Sequence, residues 1–296
     1  MRQIDENILR EIYSDDIIYH YTKATSAIDY ILYKQELKFS HRKKSNDPIE
    51  NRIFSLTRIG TGGLVAGTVE NERKIKNNYP KASIIYNSLK ERADLFCQIC
   101  FCRNSRKEDG FFSFLRQAEE FGFTKPRMWE QYAEDYNGVC IALSKKKILE
   151  KNKDLDIIDN NIRYATYKEL KEKNQYIKIL KIEDEGYEKE LIDIQNKELF
   201  IKHQDYSGEN EYRICTLKKQ ENYKDDMFLD IEGCIIAIII SEKANRRQKE
   251  SLVEYANEMQ VPYFNIVWND NGIDIINEEY CKNIFDKRRL KFSEDK

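Results

Sequence analysis

Short stretches of alternating or continuous apolar residues recur along the chain, and this pattern predicts β-strands. The stretches are residues 17–21, 37–40, 95–102, 139–143, 162–167, 211–217, 233–241, 261–268 and 272–276. The last two flank Asn269-Asp270-Asn271-Gly272, a turn sequence that predicts a β-hairpin. Between the strands, apolar residues spaced by three and four predict helices. These helices cover residues 25–32, 82–94, 126–133 and 244–259.

This mixture of paired strands and intervening helices predicts an α+β fold. We expect a single domain over residues 1–296, built on a mixed, largely antiparallel sheet flanked by helices. A stretch rich in lysine and glutamate, residues 168–202, is predicted to be a charged helical segment with a solvated face.

The charge balance gives no sign of a nucleic acid or membrane partner. The chain carries 50 basic and 52 acidic side chains, so its net charge is only −2. Its longest apolar run, residues 234–240, is far shorter than the roughly 20 residues that a membrane helix needs. Residues 1–6 are too charged to resemble a signal peptide. We therefore expect a soluble, cytoplasmic protein.

The cysteines predict reduced, buried thiols. There are seven of them, an odd number, and several lie in apolar runs. Cys97-Gln98-Ile99-Cys100 contains the spacing of half a zinc site or of a redox pair, but no second such pair or spaced pair of histidines completes a metal site. The alternation with neighbouring apolar residues favours a buried strand, and we expect no metal.

Four short polar and aromatic motifs lie at the ends of predicted strands and helices, where binding and catalytic sites are usually assembled. They are Tyr19-His20-Tyr21-Thr22, Asn46-Asp47-Pro48-Ile49-Glu50, Met128-Trp129-Glu130-Gln131-Tyr132 and Glu209-Asn210-Glu211-Tyr212-Arg213. Together they offer a histidine, several carboxylates, an arginine and several aromatic rings, which favours an enzyme over a pure scaffold.

The first and last motifs carry the candidate chemistry. His20 ends an apolar strand, a place where a histidine is more often structural than functional. Glu209 and Glu211 lie on the same side of a segment predicted to be extended, and two such carboxylates can divide acid and base roles. The alternative is a strand edge on which Glu209 is solvated and Glu211 pairs with Arg213. Both interpretations remain open on the local sequence.

The two middle motifs have structural explanations. Trp129 and Tyr132 are three residues apart on a predicted helix, so they share a face, and such a pair is more often core than ligand platform. Asp47 caps a helix whose first position is Pro48, while the role of Glu50 stays open.

At these residues the chain resembles the bacterial family called domain of unknown function 2971. The resemblance covers roughly residues 17–276, and the motifs occur in the order of that family. They lie at residues 19–22, 46–50, 128–133, 138–141 and 202–213. The family implies no particular reaction.

The motif order also resembles ADP-ribosyltransferases of the His-Tyr-Glu type, which implies a fold of that kind and NAD as substrate. In that likeness His20 holds the ribose of NAD, Glu211 is the catalytic glutamate, and Glu209 is the earlier acid of the pair. The middle aromatic would be Tyr132 or Tyr136, and no clean Ser-Thr-Ser segment is present. The implied cofactor-binding residues are His20, Tyr21, Thr22, Tyr132, Lys202 and Arg213.

The chemistry of that likeness is consistent with the residues. Cleavage of the nicotinamide–ribose bond creates an oxocarbenium-like centre, which a fixed carboxylate such as Glu211 can stabilise. Arg213 or Lys202 can neutralise pyrophosphate, and Arg213 can instead hold Glu211 in position.

The resemblance therefore predicts an NAD-dependent ADP-ribosyltransferase or NAD glycohydrolase, including a toxin or phage-defence effector with a macromolecular acceptor. Two alternatives remain. One is a metal-dependent nuclease using Asp47, Glu50, Glu209 and Glu211, against which the lack of a basic excess counts. The other is a non-catalytic sensor or partner-binding module.

Overall fold

The computed structural model describes residues 12, 14–42, 59–60, 69–105, 121–172, 177–178, 184–218, 226–270 and 272–276. The strands are β1 (Ile17–Thr22), β2 (Glu36–Lys38), β3 (Ser40–His41), β4 (Ile59–Gly60), β5 (Phe96–Arg103), β6 (Val139–Ser144), β7 (Ile157–Asn161), β8 (Arg163–Ala165), β9 (Ile177–Lys178), β10 (Ile201–His203), β11 (Glu211–Leu217), β12 (Phe228–Asp230), β13 (Ile235–Ser241), β14 (Tyr263–Asn269) and β15 (Gly272–Ile276). The α-helices are α1 (Ala24–Ser26), α2 (Val69–Asn78), α3 (Pro80–Leu95), α4 (Pro126–Tyr132), α5 (Lys145–Lys151), α6 (Tyr167–Glu172), α7 (Tyr187–Glu198) and α8 (Arg246–Glu258). A π-helix, Ala27–Leu32, continues α1, and a 3₁₀ helix, Gln204–Glu209, precedes β11.

The chain divides into two compact units. Unit 1 comprises the described residues of 1–37, 101–153 and 228–296, and unit 2 comprises those of 38–100 and 154–227. The boundary between residues 100 and 101 falls within β5. The expected single domain over residues 1–296 stays a prediction.

Unit 1 is built on strands in the order β15, β14, β13, β6, β1 and β5. Neighbouring strands run antiparallel except for β13 and β14, which are parallel. Strand β1 pairs with β6 over its whole length, from Ile17 opposite Ser144 to Thr22 opposite Val139. The predicted hairpin of β14 and β15 is confirmed.

An aromatic-rich cluster forms part of the core of unit 1. Because side chains alternate along a strand, β1 directs Tyr19 and Tyr21 into this core. The hydroxyl of Tyr19 donates a hydrogen bond to the Ile12 carbonyl oxygen at 2.6 Å. The indole N–H of the buried Trp129 donates to the Phe123 carbonyl oxygen at 2.7 Å. These bonds satisfy polar atoms that would otherwise be buried at a cost.

The described residues of unit 2 form three sets of paired strands. Strand β11 lies between β5 and β7, and β3 pairs with β5. Two short parallel pairs, β8 with β10 and β4 with β9, belong to the same unit. Helices α3 and α7 contribute to one apolar cluster that includes Leu89 and Leu191. Between them, the Arg92 guanidinium donates to the side chains of Gln195 at 2.7 Å and Asn196 at 2.8 Å.

The strand pairings of the two units confirm the α+β class with a mixed, mostly antiparallel arrangement. Helices α3, α4 and α8 lie where the apolar spacing predicts them. Strand β7 was not predicted, because its sequence, IIDNN, turns polar at its end.

Residues 168–202 are not one helical segment, so that prediction is corrected. The stretch contains most of α6, then β9, α7 and the first two residues of β10. Gly186 at the start of α7 has a φ of 85°, a left-handed conformation that glycine adopts without strain and that interrupts a helix. Residues 201–203 form a strand because they pair with β8, a contact that local charge patterning does not reveal.

The C-x-x-C segment lies in β5, as predicted from its alternation. All three thiols are reduced, and Cys97 and Cys102 are buried as expected, but Cys100 is exposed, so the prediction of a buried thiol is wrong for Cys100. Within the described ranges, no helix combines the length and apolar character needed to cross a membrane.

The turn after α4 leaves no room for a side chain at Gly138. A β-carbon there would lie 2.3 Å from the Thr22 carbonyl oxygen and 2.8 Å from the Ala133 Cα atom. We therefore expect Gly138→Ala to lower the free energy of unfolding by about 1–3 kcal/mol, because backbone atoms must move to relieve the overlap. Urea denaturation followed by circular dichroism measures this change.

Gly208→Ala is the matched control, since a β-carbon at Gly208 meets nothing within 4 Å. It should change the unfolding free energy by less than about 0.5 kcal/mol. Equal midpoints for the two variants would show that the turn tolerates a larger residue and would contradict the prediction.

Candidate functional site

Four charged side chains meet in the interior of unit 2, and we call them the acid–base cluster. They are Lys202, Glu209, Glu211 and Arg213, and each is at least 94% buried. Charged side chains are rarely buried to this extent unless they are paired. This cluster is therefore the strongest candidate site in unit 2.

Each member of the acid–base cluster contacts the next. The Lys202 ammonium donates to Glu209 Oε2 at 2.7 Å and to Glu211 Oε2 at 3.2 Å. The other oxygen of Glu211, Oε1, accepts from Arg213 Nε at 2.8 Å and lies 2.7 Å from Arg213 Nη2. Arg213 Nη1 donates to the Leu199 carbonyl oxygen at 2.8 Å. The Glu211 carboxylate is thus held on both oxygens by buried cations.

The local backbone explains how two neighbouring glutamates reach one lysine. Glu209 is the last residue of the 3₁₀ helix, Asn210 has a left-handed conformation with a φ of 46° and a ψ of 52°, and Glu211 is the first residue of β11. The prediction that residues 209–211 form one extended segment is therefore wrong. Asparagine tolerates the left-handed region better than most residues, and this bend brings both carboxylates to Lys202.

The second alternative for Glu211, pairing with Arg213, is present in the structure, but not at a solvated strand edge. The exposed fraction of the Arg213 side chain is 0%, and that of Glu211 is 4%. Arg213 therefore has the geometry of a residue that positions Glu211. The pairing and the proposed active role of Glu211 are not exclusive, because a fixed carboxylate is what an electrostatic role requires.

Two tyrosines complete the surroundings of the cluster. The hydroxyl oxygen of Tyr164 accepts a hydrogen bond from the Glu211 backbone N–H at 2.8 Å. Burial raises the pKa of Tyr164 well above its ordinary value, and the charges of Glu211 and Glu209 raise it further. The Lys202 ammonium lies 4.5 Å from the centre of the Tyr206 ring, within reach of a cation–π interaction.

No functional role was predicted for either tyrosine from the sequence. Tyr206 lies within the motif that begins at Lys202, four residues earlier in the chain. The motif therefore contains this tyrosine, but nothing in the sequence indicates that its ring contacts Lys202. Tyr164 lies opposite Lys202 in the parallel pair of β8 and β10. That pairing joins residues almost forty positions apart, and nothing local in the sequence predicts it.

The electrostatic balance of the cluster is even, with two carboxylates facing two cations. Removing four charges from water carries a large cost, which close pairing offsets. Loss of a single member leaves a charge buried without full compensation, so the cluster is far more sensitive to one substitution than to a matched pair of them.

His20 lies in unit 1, on β1, and its cross-strand neighbour is Ile141. Its ring is partly exposed and its centre lies 5.7 Å from that of Phe101. Thr22, two residues on and also partly exposed, follows the same alternation. The joint participation of His20 and Glu211 in one site stays a prediction.

Tyr21 projects from the opposite face of β1 into the core of unit 1. Its hydroxyl donates to the Gly122 carbonyl oxygen at 2.7 Å, and its ring packs edge to face against Trp129. Burial raises the pKa of Tyr21 well above its ordinary value. These contacts give Tyr21 a structural role in unit 1.

The two candidates for the middle aromatic also lie in unit 1. Tyr132 is 44% exposed, whereas Trp129 is fully buried, so the prediction that the pair forms a shared core face is wrong for Tyr132. Helix α4 ends at Tyr132, and its buried residues are Met128 and Trp129. Tyr136 is partly buried and packs against the core cluster.

The Asn46-Asp47-Pro48-Ile49-Glu50 motif lies outside the described residues. The metal-dependent nuclease alternative needs Asp47 and Glu50 as ligands, so its ligand set is not among the residues that the structure describes. Across the ranges that the structure covers, no group of three or more His, Cys, Asp or Glu residues is arranged to hold a metal ion.

Substitution of Lys202 tests the balance of the acid–base cluster. Lys202→Met keeps an unbranched side chain of similar size but leaves two buried carboxylates facing one arginine. We expect a loss of about 3–5 kcal/mol in the free energy of unfolding, as for other broken buried ion pairs. Urea denaturation at neutral pH measures it, with the exposed Lys189→Met on α7 as the control.

The double variant Lys202→Met/Glu209→Gln removes one positive and one negative charge. It should recover part of the loss, because the remaining Glu211 and Arg213 still balance each other. A Lys202→Met variant as stable as the Lys189→Met control would contradict a tightly coupled cluster.

In the comparison with known proteins, a family model matches part of the chain. No curated protein and no solved structure matches the chain. Residues 128–214 match the sequence model of a family described as protein of unknown function (DUF2971). This range includes the motifs at 128–133, 138–141 and 202–213, and thus the whole acid–base cluster. The match supports the likeness to the domain of unknown function 2971 family that the order of the motifs predicted.

Proposed function

We propose that the chain is an NAD-consuming enzyme of the ADP-ribosyltransferase type, with Glu211 as its catalytic carboxylate. The observation that carries the proposal is the fixed Glu211 carboxylate, held by Lys202 on one oxygen and by Arg213 on the other. Glu209 shares Lys202 with it and supplies the second acid of the pair.

The chemistry calls for such a group. When the bond between nicotinamide and ribose breaks, its electron pair leaves with nicotinamide and positive charge develops on the ribose. A carboxylate that is already oriented and poorly hydrated stabilises this charge more than a mobile carboxylate in water does. The pair of glutamates follows the logic of glycoside cleavage, in which two carboxylates serve one oxocarbenium-like centre.

Lys202 shows that the two carboxylates are arranged to hold a positive group. Its ammonium lies between Glu209 and Glu211, at 2.7 and 3.2 Å from their oxygens. In the proposed reaction the positive charge that develops on the ribose would face the carboxylates of Glu209 and Glu211. Tyr206, whose ring lies against the Lys202 ammonium, is partly exposed and is therefore nearer to solvent than the four buried members of the cluster.

The proposal also assigns roles in NAD binding and positioning to residues other than Glu209 and Glu211. His20 binds the ribose of NAD, Thr22 and Tyr132 contribute further contacts, and Arg213 positions Glu211. In this proposal the ADP-ribose is transferred to a protein, to a nucleic acid or to water. The class of protein proposed includes a toxin or a phage-defence effector.

Labelled NAD tests the proposal directly. The wild-type chain, incubated with nicotinamide-labelled NAD and cell extract, should release nicotinamide. Glu211→Gln should release it at least about 100-fold more slowly, because the variant keeps the shape but removes the stabilising charge. His20→Ala should mainly raise the KM for NAD.

Glu188→Gln, at an exposed position of α7 in the same unit, is the control and should keep wild-type activity. Thermal unfolding of each variant separates lost chemistry from lost fold. If the wild-type chain neither binds NAD nor consumes it with any extract, the proposed function is wrong.

A further inference from the structure

Three consecutive residues in unit 1 have left-handed backbones, although none of them is glycine. The φ angles are 52° for Glu134, 51° for Asp135 and 67° for Tyr136, directly after α4. Such conformations are costly for L-residues and persist where the surroundings enforce them. Hydrogen bonds do so here, since Asp135 N donates to the Glu130 carbonyl oxygen at 3.2 Å and Tyr136 N to that of Trp129 at 3.1 Å.

The left-handed turn delivers the ring of Tyr136 to an aromatic stack. Tyr136 packs edge to face on Trp268, with ring centres 4.9 Å apart, and Trp268 packs in the same way on Trp129 at 5.4 Å. Trp129 is fully buried, whereas Tyr136 and Trp268 are partly exposed. The outer part of the stack is therefore open to a ligand.

An ammonium group already lies against this stack. Lys243 is an exposed residue between β13 and α8, and its Nζ atom lies 4.9 Å from the centre of the Tyr136 ring. The negative face of an aromatic ring attracts cations at this distance. Lys243 thus shows which kind of group the ring accepts.

Acidic residues lie on the segments that carry the stack and favour a positive ligand, while one of them, Glu134, has its Oε1 atom 4.0 Å from Lys23 Nζ. Glu134 and Asp135 immediately precede Tyr136 in the turn and are exposed. Burial raises the pKa of Tyr136, and the negative charge of Glu130 raises it further. Glu242 holds the backbone N–H of Trp268 through its Oε1 atom at 3.2 Å.

We propose that Tyr136 and Trp268 bind an organic ammonium group of a ligand, and that Lys243 occupies this site until the ligand displaces it. The site is independent of the acid–base cluster and of any reaction with NAD. Its ligand class is an alkylated ammonium ion, whose charge faces the Tyr136 ring and whose methyl groups contact Trp268. The exposed, flexible Lys243 side chain can leave the ring at little cost, which makes it a competitor rather than a fixed part of the stack.

The sequence provides its own reporter for the test. Trp129 and Trp268 are the only two tryptophans of the chain, so intrinsic tryptophan fluorescence comes entirely from this stack. Titration with tetramethylammonium chloride, against sodium chloride at equal ionic strength, should give a saturable change in that fluorescence. Lys243→Ala should tighten the apparent affinity by roughly two- to tenfold, because it removes the internal competitor.

Variants of the ring separate binding from packing. Tyr136→Phe keeps the aromatic face and should retain the response, whereas Tyr136→Leu should lose it. Tyr30→Leu, at an exposed tyrosine on the π-helix, is the matched control and should respond like the wild type. Circular dichroism confirms that each variant is folded.

Three results would overturn the inference. One is the absence of a saturable response in both the wild type and Lys243→Ala. Another is an unchanged affinity in Lys243→Ala, which does not depend on how Tyr136→Leu folds. The third is a response to NAD but not to tetramethylammonium, which would assign Tyr136 to the proposed NAD site instead.

Discussion

The structure of unit 2 depends on the two-sided grip on the Glu211 carboxylate. Arg213 and Lys202 approach opposite oxygens of this group, and each cation has a further partner, the Leu199 carbonyl oxygen for Arg213 and Glu209 for Lys202. The grip joins β10, the 3₁₀ helix and β11 through side chains, while Tyr164 ties the first backbone N–H of β11 to β8. Four elements thus meet at one buried charge.

Buried charges constrain a fold more strictly than apolar contacts do. An apolar side chain can shift by a fraction of an ångström at small cost, whereas a dehydrated carboxylate that loses one partner remains in a medium that solvates it poorly. The left-handed Asn210 fits this constraint, because an extended residue 210 would direct the two glutamates differently. The cluster therefore explains a local backbone strain that the sequence of the segment does not.

The sequence predicts most strands of unit 1 because their signal is local. Strands β1, β6 and β13 are short apolar runs bounded by polar residues, and no distant contact is needed to recognise them. The helix predicted over residues 168–202 failed for the opposite reason, since the conformation of Gly186 and the pairing of β10 with β8 decide that stretch.

For the candidate site too, local features were predicted from the sequence and contacts between distant residues were not. Its residue types were identified from the motif, because lysine, glutamates and arginine stood together in the sequence. Their contacts were not, since Tyr164 reaches Glu211 through a parallel strand pair and the bend at Asn210 replaces an expected extended segment. Side-chain geometry of this kind follows from packing, which the pattern of one segment does not contain. Tyr132 shows the same limit, because it shares the spacing of Trp129 on α4 and yet is exposed.

The order of the units along the chain has a consequence for synthesis on the ribosome. Unit 2 has all of its residues once position 227 has been made, whereas unit 1 needs segments from both ends of the chain. Strand β6 pairs with β1 early, but its other neighbour, β13, ends only at Ser241. In the interval the nascent chain carries a mostly apolar strand with one open edge, the form most prone to pair with a neighbouring chain. The rate at which the ribosome covers that interval therefore bears on the yield of folded protein.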